Sequence, residues 1–218
     1  SLTAVQDMCL LPGTLSKLVV ASADRVITLY ELQDHAGAPR WSVHGRMLLK
    51  DMPICLAAWT HVADEAACLA IGTDVGSVPI FDARKLVSLL RDDRVRAEMV
   101  RGAIPVRAVE RALILTLPLH KDWVTQLVYE PGLGALVSGS LDSYLYVTQL
   151  DWPQDAVPSH TPEGVALVLA DPEHCRRMCT VRAHGKGIVW LELIHYAGRK
   201  MCATSSHERL VNLWNLET

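Results

Sequence analysis

Short runs of alternating apolar and polar residues, broken by turn formers, recur along almost the whole chain. Val5–Leu10, Lys17–Ser22 and Val26–Glu31 make one set, divided by Leu11-Pro-Gly-Thr14 and by Asp24-Arg25. Ile54–Trp59, Cys68–Gly72 and Ser77–Asp82 make a second, with Thr73-Asp-Val-Gly76 as its turn. Val124–Tyr129 and Ala135–Ser140 open a third, whose last member is either Tyr144–Leu150 or Val165–Asp171. Gly187–Ile194, Met201–Ser205 and Leu210–Asn215 make the fourth. Alternation at a period of two places one set of side chains on each face of a strand, so each set predicts a small antiparallel sheet. A further strand-like run precedes each later set: Met47–Lys50 as a strand shared across the boundary, Ile114–Leu119 as the start of the third repeat, and a run within 174–183 as the entry strand of the fourth. The first set lacks one unless it lies upstream of Ser1. Pro79 cannot donate to a ladder, which suggests an edge position or a bulge.

Residues 83–112 break the repetition. From Ala83 to Val100, Leu86, Leu89, Leu90, Val95 and Met99 fall near helical spacing, which predicts a surface helix. Arg84, Lys85, Arg91, Arg94, Arg96 and Arg101 are interleaved with Asp92, Asp93 and Glu98. This stretch reads either as a solvated helix packed on a sheet edge or as a basic surface that meets an acidic partner. The expected division is 1–82, two sheet units; 83–112, a helical insertion; and 113–218, two more sheet units. The polar loops expected from sequence are Gln33–Val43 and the Pro-containing Trp152–Gly164.

Composition narrows the picture. Half the 218 residues are hydrophobic, enough for a sizeable core. A net charge of -3 marks no general polyanion binder, so nucleic acid is not an expected partner. Six scattered cysteines, several inside apolar runs, fit buried thiols in a reducing, cytoplasmic setting. His174, Cys175, Cys179 and His184 bring zinc to mind, but Cys-x3-Cys on a strand lacks the tight knuckle zinc uses. No run reaches ~18 apolar residues, so no membrane span is expected. The chain starts and stops inside strand-like sequence, which gives the expectation of a piece of a larger protein. There is no Gly-x-Ser-x-Gly, no phosphate loop, no His-Glu-x-x-His and no calcium loop, so neither an enzyme nor a cofactor is expected.

His184-Gly185 before three even runs, with Trp214-Asn215 at the end, resembles a WD40 repeat. The resemblance implies an all-β fold, an arc of about four blades of a WD40 β-propeller, with one helical insertion between blades two and three. It also implies a structural network within a blade, of a His, a strand hydroxyl, a turn acid and a Trp. The matching positions are His184, Thr204, Glu208 and Trp214, with Glu where Asp is usual, and, in the third unit, His120, Ser138 and Asp142. Tyr30-Glu31 and Phe81-Asp82 stand where Trp-Asp would stand in the first two units.

Several phrases taken in order carry a closer likeness: Asp24–Tyr30, Gly72–Gly76, Leu119–Val124, Ser138–Ser143, Ala166–Asp171 and His184–Gly187. The series is similar to the large WD-repeat proteins, some carrying EF-hands, of motile cilia and sperm flagella. That resemblance implies a non-enzymatic scaffold of the axoneme whose partners are other proteins, such as microtubule-associated proteins or tubulin. The partner-binding candidates are then Gln33–Val43, Trp152–Gly164 and the basic stretch Arg84–Arg101. A WD40 adaptor of another kind remains the alternative: a ubiquitin-ligase substrate receptor, or a chromatin or trafficking scaffold.

Overall fold

A computed structural model describes residues 3–13, 17–35, 38–60, 67–150 and 175–217. The described residues form four antiparallel sheets in strict chain order. Sheet 1 is β1 (Val5–Leu10), β2 (Lys17–Ser22), β3 (Val26–His35) and β4 (Ala38–Leu48). Sheet 2 is β5 (Pro53–Thr60), β6 (Ala67–Thr73), β7 (Ser77–Asp82) and β8 (Leu113–Pro118). Sheet 3 is β9 (Val124–Glu130), β10 (Ala135–Ser140), β11 (Tyr144–Leu150) and β12 (Cys175–Arg182). Sheet 4 has three strands, β13 (Ile188–Tyr196), β14 (Arg199–Ser206) and β15 (Val211–Asn215).

The first strands pack beside one another in series, β1 on β5, β5 on β9 and β9 on β13. This row is the hub, and each sheet runs outward from it. Polar groups tie each hub strand to the next. Asp7 Oδ2 accepts from Leu56 N at 2.7 Å, the Cys55 thiol donates to Val124 O at 3.1 Å, and Thr125 Oγ1 donates to Ile188 O at 2.8 Å.

Apolar residues on both faces of the inner sheets can leave water only by packing sheet against sheet. The core is accordingly three inter-sheet layers. Ile27 and Leu29 of sheet 1 meet Leu56 and Phe81 of sheet 2. Val78 and Ile80 on the other face of sheet 2 meet Leu127 and Leu136 of sheet 3. Leu145 and Val147 meet Leu191 of sheet 4.

Several expectations change. Gln33–Val43 is not a loop: β3 continues to His35 and β4 starts at Ala38, pairing from Val26↔Leu48 to His35↔Ala38. Strand β4 also gives sheet 1 its fourth strand. In each of the first three sheets the outer strand is the run that opens the next sequence repeat. The helical insertion therefore falls between repeats two and three in sequence and between β7 and β8 of one sheet in space. Pro79 sits in an interior strand; pairing of β7 with β6 covers only Ile80–Asp82, and the register shifts beside it at Ile80/Phe81. Of the two candidates for the third strand of sheet 3, Tyr144–Leu150 takes the place. Val165–Asp171 and Trp152–Gly164 lie outside the described residues.

The insertion is two short helices and a turn of a third, not one helix. α1 (Ala83–Leu89) is capped by Asp82, whose carboxylate accepts from Lys85 N at 3.0 Å. Asp92 caps α2 (Asp93–Ala97) through Arg94 N at 2.9 Å and so interrupts the run expected through Val100. α3 is Val106–Val109. Leu86, Val87, Leu89, Leu90 and Val95 face the layer between sheets 1 and 2. Ile104 pairs with the outer edge of β4: its N–H donates to Arg46 O at 2.9 Å, and its carbonyl accepts from Leu48 N at 3.0 Å. An exposed strand edge invites foreign strands, and this stretch of it is covered.

Gly45 of β4 makes room for Leu90, because a Cβ there would lie 2.4 Å from the leucine Cδ2. Gly45→Val should lower stability by about 1–3 kcal/mol and speed amide exchange across 83–112. Unchanged exchange there would show that the insertion docks without this contact.

Candidate functional site

In sheet 3 the loop from β8 to β9 carries His120, strand β10 carries Ser138, and the turn after β10 carries Asp142. The structure brings the three together. His120 Nδ1 lies 3.1 Å from Asp142 Oδ2, and its Nε2 lies 2.8 Å from Ser138 Oγ. A carboxylate only accepts, so Nδ1 carries the proton and Nε2 of the neutral ring receives the serine hydroxyl. Asp142 also accepts from Lys121 N and Tyr144 N, both at 3.0 Å. One side chain thereby holds the loop ahead of the sheet and the turn within it. Tyr146 meets the imidazole edge to face, with centroids 4.5 Å apart.

Sheet 4 repeats the arrangement and completes it. His184 Nδ1 is 2.9 Å from Glu208 Oε1, and Nε2 is 2.9 Å from Thr204 Oγ1. The Trp214 indole donates to Thr204 Oγ1 at 2.8 Å. The hydrogen bonds run from indole to hydroxyl to imidazole to carboxylate, and every polar atom of the chain is paired. Glu208 is one methylene longer than aspartate, and Gly185 accommodates it. Gly185 N donates to both carboxylate oxygens, at 3.1 and 3.2 Å, and a Cβ there would stand 2.8 Å from Oε2. The Gly185 N–H first, then His184, hold the Glu208 carboxyl below its ordinary range.

Histidine, hydroxyl and acid in contact resemble a hydrolytic triad. Here the hydroxyl residues are sealed: Ser138 is 0% exposed and Thr204 1%. Neither oxygen can reach a substrate, so the arrangement does the work of a clasp.

The other sheets keep parts of this scheme. The loop before β5 has no histidine, yet Asp74 still holds it, accepting from Met52 N at 3.0 Å. Strand pairing places Tyr30, Phe81, Thr148 and Trp214 at one position of their sheets, opposite Leu18, Leu69, Leu136 and Cys202. Thr148 thus stands where an indole would bond Ser138, and its own hydroxyl is buried with no partner among the described residues.

Sequence reasoning missed the hub links of Asp7, Cys55 and Thr125. A single carboxylate in the otherwise alternating run Val5–Leu10 was a usable signal for the first. It also missed Glu130, a buried acid that accepts from Gly132 N at 3.0 Å and pairs with Lys200 at 3.7 Å and His195 at 3.4 Å, joining sheets 3 and 4. No local pattern announces that pairing.

The six basic candidates all lie on the insertion. Arg84, Arg91, Arg94, Arg96 and Arg101 are exposed, and Lys85 is half-buried. Beside the insertion a cleft of about 550 Å³ opens between sheets 1 and 2, walled by Leu49, Pro79, Phe81, Val109 and Leu113. No clasp residue lines it.

Three outcomes test this account. Asp142→Ala should cost about 1–3 kcal/mol and raise amide exchange over Val124–Ser140; unchanged protection there would remove the clasp. Thr148→Val should be neutral or stabilise by up to about 1 kcal/mol, since it deletes an unpaired buried hydroxyl; a clear loss in the thermal melt would reveal a partner. Because Glu208 is held low in the folded state, the stability it adds over Glu208→Gln is full above the ordinary glutamate pKa of about 4.3 and is lost as pH falls from there through its lower folded-state pKa. Denaturation of both proteins at neutral and acid pH measures this, and a pH-independent difference would contradict it.

No family model and no curated protein matches the chain. Among solved structures, it is similar to that of U3-55K, with a TM-score of 0.58 and 16% identity over 99% of this chain and 50% of that one. It is likewise similar to a chain of the mitotic checkpoint complex, with a TM-score of 0.57 and 15% identity over 98% of this chain and 50% of that one. Both are WD40 proteins. This chain spans half the length of each, and at such identity the likeness is one of fold. The four sheets are an arc of a WD40-type β-propeller.

Proposed function

We propose that this arc is a non-enzymatic scaffold that docks an acidic protein surface through its basic insertion. The observation that carries the reading is the placement of charge. Residues 83–112 hold eight basic and four acidic side chains, a net of +4 in a chain of -3. Three of the four acids serve the insertion itself. Asp92 caps α2, Asp93 lies 3.9 Å from Arg96, and Glu98 pairs with Arg107 at 3.1 Å. Arg91, Arg94, Arg101 and Arg111 form no ion pair among the described residues. The buried leucines and the Ile104 pairing hold the backbone beneath these cations, so less ordering entropy is lost on binding. The strands are committed to the inter-sheet layers, which leaves recognition to such connecting segments.

The phrase-level resemblance to axonemal WD-repeat proteins favours a place in the cilium or flagellum, with tubulin or a microtubule-associated protein as the acidic partner. A second reading keeps the scaffold and changes the assembly, and it is favoured by one similar structure being that of a mitotic checkpoint complex.

Reversing Arg91, Arg94 and Arg101 to Glu should weaken sedimentation with microtubules by tenfold or more, about 1.4 kcal/mol, and flatten its dependence on salt. Equal binding by the reversal protein would remove the insertion as the contact. Salt extraction of isolated axonemes, followed by mass spectrometry, tests the location; absence from axonemes would leave the second reading.

A further inference from the structure

The cleft of about 550 Å³ between sheets 1 and 2 lies inside the arc, where both neighbouring sheets have four strands. Sheet 3 shows what is missing from it. The turns ahead of β7 and β11 close alike, Gly76 N donating to Thr73 O at 3.3 Å and Ser143 N to Ser140 O at 3.1 Å. Counted from these turns, Phe81 falls level with Thr148, as the ladders require, and Ser77 and Pro79 fall level with Tyr144 and Tyr146. In sheet 3 those two rings lie 6.4 Å apart, and Tyr146 packs on His120 and on the layer shared with sheet 2. The loop ahead of sheet 2 differs too. Leu49 N donates to Arg25 O at 2.8 Å as His120 N donates to Gly76 O at 3.0 Å, so a leucine holds the histidine's place. Sheet 2 therefore has a serine, a proline and a leucine where sheet 3 has two phenol rings and an imidazole. The cleft is the space this leaves, and Ser77, Pro79 and Leu49 all line it.

Its chemistry suits an aromatic side chain that carries a hydrogen-bond donor. Leu49, Phe81 and Val109 give apolar walls, and Asp51 and Glu110 stand among the lining residues as acceptors for a phenol O–H. The surroundings are cationic. Lys50 lines the cleft, the Arg25 guanidinium donates to Lys50 O at 3.3 Å, and Arg107 and Arg111 stand on the two short turns that carry Glu110. We infer that this cleft seats a tyrosine of a protein partner, with acidic residues beside that tyrosine meeting these cations. Such an anchor rests on the proposed docking of an acidic surface and supplies its specificity. One aromatic side chain in a pocket, ringed by weaker contacts, is a common source of strength in an interface.

Fluorescence anisotropy of labelled pentapeptides against the 218-residue chain tests this. A peptide with one tyrosine between glutamates should bind about tenfold or more tightly than the same peptide with alanine at its centre. Pro79→Tyr, which restores a ring found in sheet 3, should abolish that preference. So should Thr116→Trp, which fills the cleft from an exposed position of β8. Thermal melts check that both variants fold. Equal binding of the two peptides, no binding of either, or a preference that survives both substitutions would overturn the inference. A third peptide, with serines around the tyrosine, should bind more weakly and without dependence on salt. If it binds as tightly as the acidic one, the acidic docking falls and this partner with it; salt-dependent binding without a tyrosine preference removes the cleft alone.

Discussion

Every other feature of this structure depends on one constraint: its sheets are apolar on two faces and can leave water only against one another. A sheet that buries one face can stand with its other side in solvent. Sheets 2 and 3 have no such side, with Val78 and Ile80 turned one way and Leu69 and Phe81 the other. Stacking in series around a common line of first strands satisfies that demand. The hydrogen bonds from Asp7, Cys55 and Thr125 lie along this line and fix how each hub strand meets the next.

Radial packing creates a polar difficulty at the rim. The chain must return from the outer strand of one sheet to the inner strand of the next, and this loop brings backbone N–H groups near the core. Asp74, Asp142 and Glu208 each accept from such a loop, at Met52, Lys121 and Gly185. Where a histidine is present it extends the bond inward to Ser138 or Thr204, and only sheet 4 adds the indole. The clasp is thus graded from sheet 2, which keeps the acid alone, to sheet 4, which completes it. Between sheets 1 and 2 the insertion adds apolar burial, with Leu86, Leu89 and Leu90 packed into their shared layer. The same insertion seals part of the β4 edge and displays cations from a fixed backbone, so one element serves packing and supplies a surface.

Much of this is legible in the sequence because it rests on local patterns. The period-two runs and the turns at Asp24-Arg25 and Thr73–Gly76 name strand and turn, and the resemblance to a WD40 repeat names His120, Ser138 and Asp142, or His184, Thr204, Glu208 and Trp214, as clasp positions. The cations of 83–112 are likewise visible as a run. What sequence alone determined was therefore the number of sheet units, the identity of their polar positions and the segment that interrupts them.

Tertiary structure decided the remainder, because it depends on contacts between residues far apart in the chain. Nothing local in Gln33–Val43 shows that its two halves pair, since strand partners are chosen by the ladder as a whole. Ile104 reads as an isolated apolar residue until the edge of β4 lies beside it. Glu130, Lys200 and His195 meet only because sheet 4 stacks on sheet 3. Two apolar runs compete locally for the third strand of sheet 3, and the ladders with β10 and β12 show that Tyr144–Leu150 takes it, with Leu145 and Val147 buried beneath the next sheet.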